Sequence, residues 1–482
     1  MAVFRPAPFR QAGFAYHAVA AVLIAICIVA AAAVIRSISN IVAFDVDFVA
    51  FFCGAKTLLG QHNPYLYEPL HTCEVAMLPG LFHRFVNLVI PAPLPPYALA
   101  AFVPLALLPF SVARGVWALT LCISVGVTAW SMSRILEIRW PLALAGTGVA
   151  IAGTALLQGE LAPLPIALLC AGAALLKEAR FAPAAFALTA AMIEPHLALP
   201  ACIAACIAVP RMRLPLAIGA AICLAISLAA LPWSVIVEYF ARVLPLHALS
   251  EIDNTGQYSL STMAHRLGLA APAAVKLGFA EYLLACTAGI WLAIRLAAKE
   301  CDLSYLILAS TACAVIGGSF IHLSQIAMAA PFALAIAVRK PSYIAWAALL
   351  LLAIPWDSVL NWYALAPFAA LALVFLLWYF VKARAAVASL AATGFLVLAY
   401  LGSKWAQIGS VPAGTRFHFP VTAPNDLAEV SWVHYNTAIA FPPTWWLTHA
   451  LTGAGLLAML GTALWWAAAN GKHAENPAVI AR

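Results

Sequence analysis

Two stretches, 18–35 and 364–381, run without a single charged side chain. A bilayer core needs about 20 apolar residues in a spanning helix, so each can cross a membrane, and similar stretches recur along the chain. Of the 482 residues 65% are hydrophobic and 9% charged, against about 25% charged in a soluble protein. This excludes disorder, a coiled coil and a string of soluble domains, and leaves an all-α polytopic membrane protein. The net charge of +7 carries no nucleic-acid signal, because charge in short loops between spans reports topology. Arg5 and Arg10 precede the first apolar stretch, and Ala30 to Ala33 imitate a signal-peptidase site. The run exceeds a signal core of about 7–15 residues, so an uncleaved first span is expected.

Candidate spans fall at 14–36, 112–133, 141–157, 161–176, 181–193, 196–209, 214–231, 273–297, 303–320, 323–338, 341–355, 360–381, 386–402 and 446–468. Segment 92–110 is the ambiguous one, and charge decides it. With that segment outside, most of the 25 Lys and Arg, from Arg134, Arg139, Lys177 and Arg180 to Lys340, Lys382 and Arg384, lie in short cytoplasmic loops, as the positive-inside rule requires. Pro93, Pro95, Pro96, Pro104 and Pro109 also argue against a regular spanning helix there. The expectation is about fourteen spans with both termini in the cytoplasm of a bacterial plasma membrane.

Three long segments then lie outside, 37–111, 232–272 and 403–445. They divide the chain into 1–235 with the first outer loop, a second large outer loop at 236–272, and a C-terminal transmembrane part at 273–482 with its own outer loop. Asp45, Asp47, Glu68, Glu74, Glu238, Glu251, Asp253, Asp426 and Glu429 fall in these segments, and Glu160, Glu194 and Asp357 in short outer turns. Residues other than Lys and Arg accumulate on a translocated side in any case. Loops this far beyond the usual 2–8 residues between helices point instead to function, and hence to an active site facing away from the cytoplasm. Cys53 and Cys73 share the first outer loop, which leaves a disulfide open without a spacing framework to require it.

The first outer segment opens with FDVDFVAFFCGAKTLLGQHNPYLYEP. Asp45 and Asp47 sit at the membrane boundary, a half-exposed amphipathic helix is expected over Phe48–Leu59, Gly60 is expected to end it, and Asn63-Pro64 marks a turn. Asp47-Phe48, Ala55, Gly60 and Asn63-Pro64-Tyr65 together resemble the first-loop signature of glycosyltransferase family 87, a branch of the GT-C superfamily of multi-span enzymes. The resemblance continues through Leu94-Pro95-Pro96, the run Pro104 to Phe110, Ala113-Arg114 and Trp117. Gln257-Tyr258-Ser259-Leu260 is similar to a family patch in the second large outer loop, and His322 to a family histidine at an outer helix end.

The resemblance implies a GT-C-type fold with juxtamembrane helices in the first outer loop. It also implies transfer of a sugar, mannose by default, from a polyprenyl-phosphate donor to a lipid or glycan acceptor with inversion. Such chemistry needs a carboxylate to take the acceptor's proton and groups that steady the leaving phosphate. It places Asp47 as the base with Asp45 second, His322, Arg266 and Arg114 as phosphate partners, and Tyr65, Gln257 and Ser259 at the substrate. Two departures stand out: Gly159-Glu160 where the family has Gly-Gln, and Glu194-Pro195-His196 where it has Lys-Pro. Glu160, Glu194 and His196 could bind the sugar, hold a divalent metal or favour another head group. A structural Glu–His pair is the plain alternative. Scattered ligands make no coordination motif, so no cofactor is expected.

Segment 403–445 mixes Trp405, Trp432 and Tyr435 with Arg416, His418, Glu429, His434 and Asn436. That mixture suits a carbohydrate-binding lid and equally an interfacial belt. No phosphate-cradling loop of the Gly-x-x-x-x-Gly-Lys-Ser/Thr type occurs. The competing readings are a flippase for lipid-linked sugars, which would show repeat symmetry and broken helices at mid-membrane, and a polysaccharide polymerase or ligase.

Overall fold

The computed structural model describes residues 46–361, 366–406 and 415–469. The expected first span at 14–36 and Asp45 lie outside them. Among the described residues the chain is helical almost throughout, and its sheet is one short parallel pair.

Among the described residues five helices are long and apolar enough to cross a bilayer: Phe110–Leu136, Pro210–Ala230, Ala271–Glu300, Ala385–Trp405 and Trp445–Ala468. They expose large apolar side chains, such as Leu119, Ile123 and Trp130 on the first and Leu214, Ile218 and Ile222 on the second. Water would not tolerate such faces and lipid does. The protein is a membrane protein. Eight shorter apolar helices, among them Pro163–Lys177, Pro195–Ala208 and Tyr343–Ala353, coincide with the remaining candidate spans but fall short of the roughly 20 residues a full crossing takes.

Segment 92–110 forms two short helices, Pro96–Ala101 and Val103–Ala106, with no continuous spanning rod. Its prolines open each helix, where a missing N–H is harmless. Ala98, Leu99 and Phe102 are buried in the same core as helix Val46–Leu59.

That helix departs from expectation in its burial. Ten of its residues, Phe48 to Ala55 with Thr57 and Leu58, are buried, so it is a core element, not a half-exposed one. Phe48 stacks on Phe110 and Trp117, each at 5.9 Å between ring centres. A Cβ on Gly54 would lie 3.1 Å from Leu99, so glycine lets the two segments close on each other. Cys53 forms a disulfide with Cys73, tying the helix to Tyr67–Met77. The left-handed residue past its end is Gln61 (φ 58°), not Gly60. His62 N–H reaches Thr57 O at 3.1 Å and Gln61 N–H reaches Leu58 O at 3.0 Å, the bond pair of a Schellman motif.

Segment 415–438 packs onto segment 65–86. Phe85–Val86 pairs in parallel with Phe417–His418. Tyr67 N–H donates to Asp426 O at 2.8 Å, and Ala428 N–H to Tyr65 O at 3.0 Å. Helix Ala428–Ala438 is thereby fixed over the first outer loop.

Candidate active site

A cavity of about 1280 Å³ lies among the long segments between the apolar helices. Its wall combines Asp47 from helix Val46–Leu59 and Arg84 from the first loop. It adds Glu160 and Glu194 from two short turns, Glu251 and Asn254 from the second large loop, Lys276 from helix Ala271–Glu300, His322 and Ser324, and Trp432 and Tyr435 from helix Ala428–Ala438.

Local backbone geometry aims the acids. Helix Trp140–Gln158 ends at Gly159 with φ 73°, a left-handed position that suits glycine. Trp117 Nε1 donates to the Gly159 carbonyl at 2.8 Å, and the turn brings Glu160 to the cavity. Glu194 caps helix Pro195–Ala208; its Oε1 accepts from Gln325 Nε2 at 2.6 Å, while Oε2 is buried without a partner. Gln325 Oε1 in turn accepts from the backbone N–H of His322 at 2.9 Å, which fixes the orientation of the amide.

The carboxylates fall into two kinds. Asp47 is held well above the usual carboxylate range by burial and then by the negative charges of Glu160 and Glu251. Burial likewise raises Glu160, and pushes Glu194 up to about 8. Glu251 goes the other way. Burial alone would raise it, but His322, His247 and hydrogen bonds from Trp432 and Gln257 outweigh that and hold it below its ordinary value. Its Oε1 accepts from Trp432 Nε1 at 2.5 Å, and its Oε2 from Asn254 Nδ2 at 2.7 Å and Gln257 Nε2 at 2.8 Å.

The expected site residues separate accordingly. Asp47, Glu160, Glu194, His196 and His322 share the cavity wall. Gln257 and Ser259 do not line it. Gln257 is fully buried; it bonds Glu251, sits 2.9 Å from His322 Nε2 through its own Nε2, and accepts from Ile321 N–H at 2.6 Å. Ser259 caps helix Leu260–Arg266 by accepting from Thr262 N–H at 3.3 Å. Tyr65 is core: its hydroxyl donates to Leu94 O at 2.8 Å. Arg266 lies outside the cavity, its guanidinium over the Phe441 ring at 4.0 Å. Arg114, on helix Phe110–Leu136, is also outside the lining. The sequence reading did not single out Glu251, His247, Arg84 or Lys276. The His247–Glu251 spacing of one helical turn was the available signal.

Glu194 and His196 do not form a closed pair. His196 Nε2 is 3.6 Å from Glu194 Oε1, beyond hydrogen-bonding distance, and Glu194 is bonded instead to Gln325. Among the described residues no three His, Cys, Asp or Glu side chains converge as a metal site would require.

The family model of glycosyltransferase family 87 matches residues 94–324. The chain carries a glycosyltransferase family 87 domain. The family supports a glycosyltransferase, which acts on a sugar donor and an acceptor. No curated protein and no solved structure matches the chain. The family 87 match takes in Glu160, Glu194, Glu251, Lys276 and His322. Helix Val46–Leu59 with Asp47 lies before it, and Trp432 and Tyr435 lie after it, so the cavity is completed by flanking parts of the chain.

Proposed function

We propose that this glycosyltransferase moves a sugar, mannose by default, from a polyprenyl-phosphate donor to a lipid or glycan acceptor on the extracytoplasmic side of the bacterial plasma membrane. The observation that carries the reading is Asp47, a carboxylate open to the cavity yet set deep in the protein, beside Glu160 and Glu251. Burial and like charge raise its proton affinity, which makes its ionised form a stronger base than an exposed aspartate. The acceptor hydroxyl gives its proton to Asp47 as its oxygen bonds to the anomeric carbon. The bond from that carbon to the phosphate oxygen breaks, and its electron pair leaves with the polyprenyl phosphate. Attack opposite the leaving group inverts the centre. Glu251, held by hydrogen bonds from Trp432, Asn254 and Gln257, keeps His322 and Trp432 in place around the reacting atoms.

Two further observations support this reading. The cavity lies among the segments assigned to the outer side by charge. The Cys53–Cys73 disulfide is a bond that persists in oxidising compartments and lies in the same segment as Asp47.

The test is sugar transfer in reconstituted vesicles. Radiolabelled polyprenyl-phosphate sugars are offered with total membrane lipid extract to wild type and to Asp47→Asn. Transfer by wild type that is lost in the variant supports the base and names the donor. Equal transfer by both removes Asp47 from the role. Movement of labelled lipid across the bilayer without transfer would favour a flippase.

A further inference from the structure

We propose that Lys276 binds the phosphate of a polyprenyl phosphate, at the edge of the cavity where helix Ala271–Glu300 turns its apolar face to lipid. The proposal rests on the reading of a polyprenyl-phosphate donor. A sugar phosphodiester enters with one negative charge and leaves as a monoester that gains a second, so the leaving oxygen needs a cation nearby. Asp47, Glu160, Glu194, Glu251 and Asp357 all line the cavity, and the permanent cations in its wall are Arg84 and Lys276 alone.

Lys276 is the uncommitted one. Arg84 Nε donates to Thr415 O at 3.2 Å and its guanidinium lies over Phe85 at 5.3 Å. Arg242 is paired with Glu238 at 2.8 Å, Arg266 sits on Phe441, and Arg416 is 3.0 Å from His83 Nε2. The exposed Lys276 has no hydrogen bond, ion pair or ring contact among the described residues.

Its surroundings suit a phosphate with a hydrocarbon tail. Ser319 Oγ donates to the carbonyl of Val275 at 3.2 Å, which pins the loop bearing His322 and Ser324 beside Lys276. Phe279, Leu283 and Leu284 are 56%, 50% and 71% exposed. At 1.5 Å rise per residue they follow within about 12 Å of Lys276 along the helix. A phosphate at the lysine would therefore place the first isoprene units on this apolar face, with the phosphate's other ester pointing into the cavity.

The experiment measures binding, so it does not depend on transfer. Full-length protein in nanodiscs of zwitterionic lipid is titrated with a polyprenyl monophosphate, with the polyprenol of equal chain length and with inorganic phosphate. Wild type should bind the polyprenyl phosphate at least tenfold more tightly than the polyprenol. Lys276→Glu should remove that preference and leave polyprenol binding unchanged. Lys276→Arg should keep most of it, and Arg266→Glu should keep all of it. The proposal is overturned if wild type shows no preference for the phosphate, or if Lys276→Glu binds it as wild type does. Full displacement by inorganic phosphate, or by vesicles of phosphatidylglycerol, would mean a general anion site and would equally overturn it. If Lys276→Glu loses binding while wild type transfers no sugar, the phosphate site stands and the transferase reading falls.

Discussion

Glu251 and Asp47 face the same cavity, both deep in the protein, and their proton affinities shift in opposite directions. Glu251 accepts from Trp432, Asn254 and Gln257 and lies 3.6 Å from His322 Nε2. Asp47 has Glu160 and Glu251 as its electrostatic neighbours. Burial raises both carboxylates, and only the surrounding donors and histidines reverse the sign at Glu251. The difference teaches that in a wall this acidic, partners and not depth decide which group is a fixed anion and which is free to exchange a proton.

The comparison can be broken most severely at Asp47. Asp47→Asn should lower sugar transfer about 100-fold or more, the usual scale for losing a general base, with thermal stability close to wild type; single-turnover transfer and a melting curve read the two together. Next comes the opposite member. Glu251→Gln replaces an acceptor of several bonds by an amide whose NH2 faces other donors, which should destabilise the fold by about 3 kcal/mol or more. A melting midpoint unchanged from wild type would contradict the fixed-anion assignment.

A smaller effect sharpens the comparison. Transfer should rise with pH through an apparent pKa above the ordinary carboxylate range, because Asp47 must be ionised to accept a proton. Glu160→Gln removes one of the negative charges that raise Asp47, so this limb should move to lower pH; a shift to higher pH would reverse the assignment. The smallest effect concerns Glu194. Its folded value of about 8 stands above the ordinary 4.5, so the folded state holds a proton that the unfolded state has released between those values. Stability should fall as pH rises through that window, and then level off. Melting curves of Glu194→Gln should lack this slope.

Much of the frame was legible before any coordinates. Each described candidate span has an apolar helix at its place, since hydropathy needs no knowledge of neighbours, and five have the length to cross. Glu160 was expected in a short turn between two spans, and it lies between helices Trp140–Gln158 and Pro163–Lys177. Asp47, Glu160, Glu194, His196 and His322 could be picked out as site candidates from residue type and resemblance, and they share one cavity wall. What the sequence could not give was which side chains already had partners. Gln257 and Tyr65 are polar residues in outer segments, yet each is buried and bonded to a group far along the chain. Arg266, expected as a phosphate partner, lies over the Phe441 ring at 4.0 Å, a contact with no signal in the sequence. The half-exposed helix expected at 48–59 is buried because Phe110, Trp117 and Leu99 cover it, and periodicity says nothing about what arrives from elsewhere.

The pairing of the first outer segment with the last has a consequence for biogenesis. A ribosome delivers helix Val46–Leu59 long before Asp426, Ala428 and the strand Phe417–His418. Until then the Tyr65 carbonyl, the Tyr67 N–H and the edge at Phe85–Val86 have no backbone mate from that segment. Until segment 415–438 is made, the cavity therefore lacks the part of its wall that Trp432 and Tyr435 supply. A chain cut short before segment 415–438 would carry most of the apolar helices yet lack Trp432 and Tyr435 on the cavity wall.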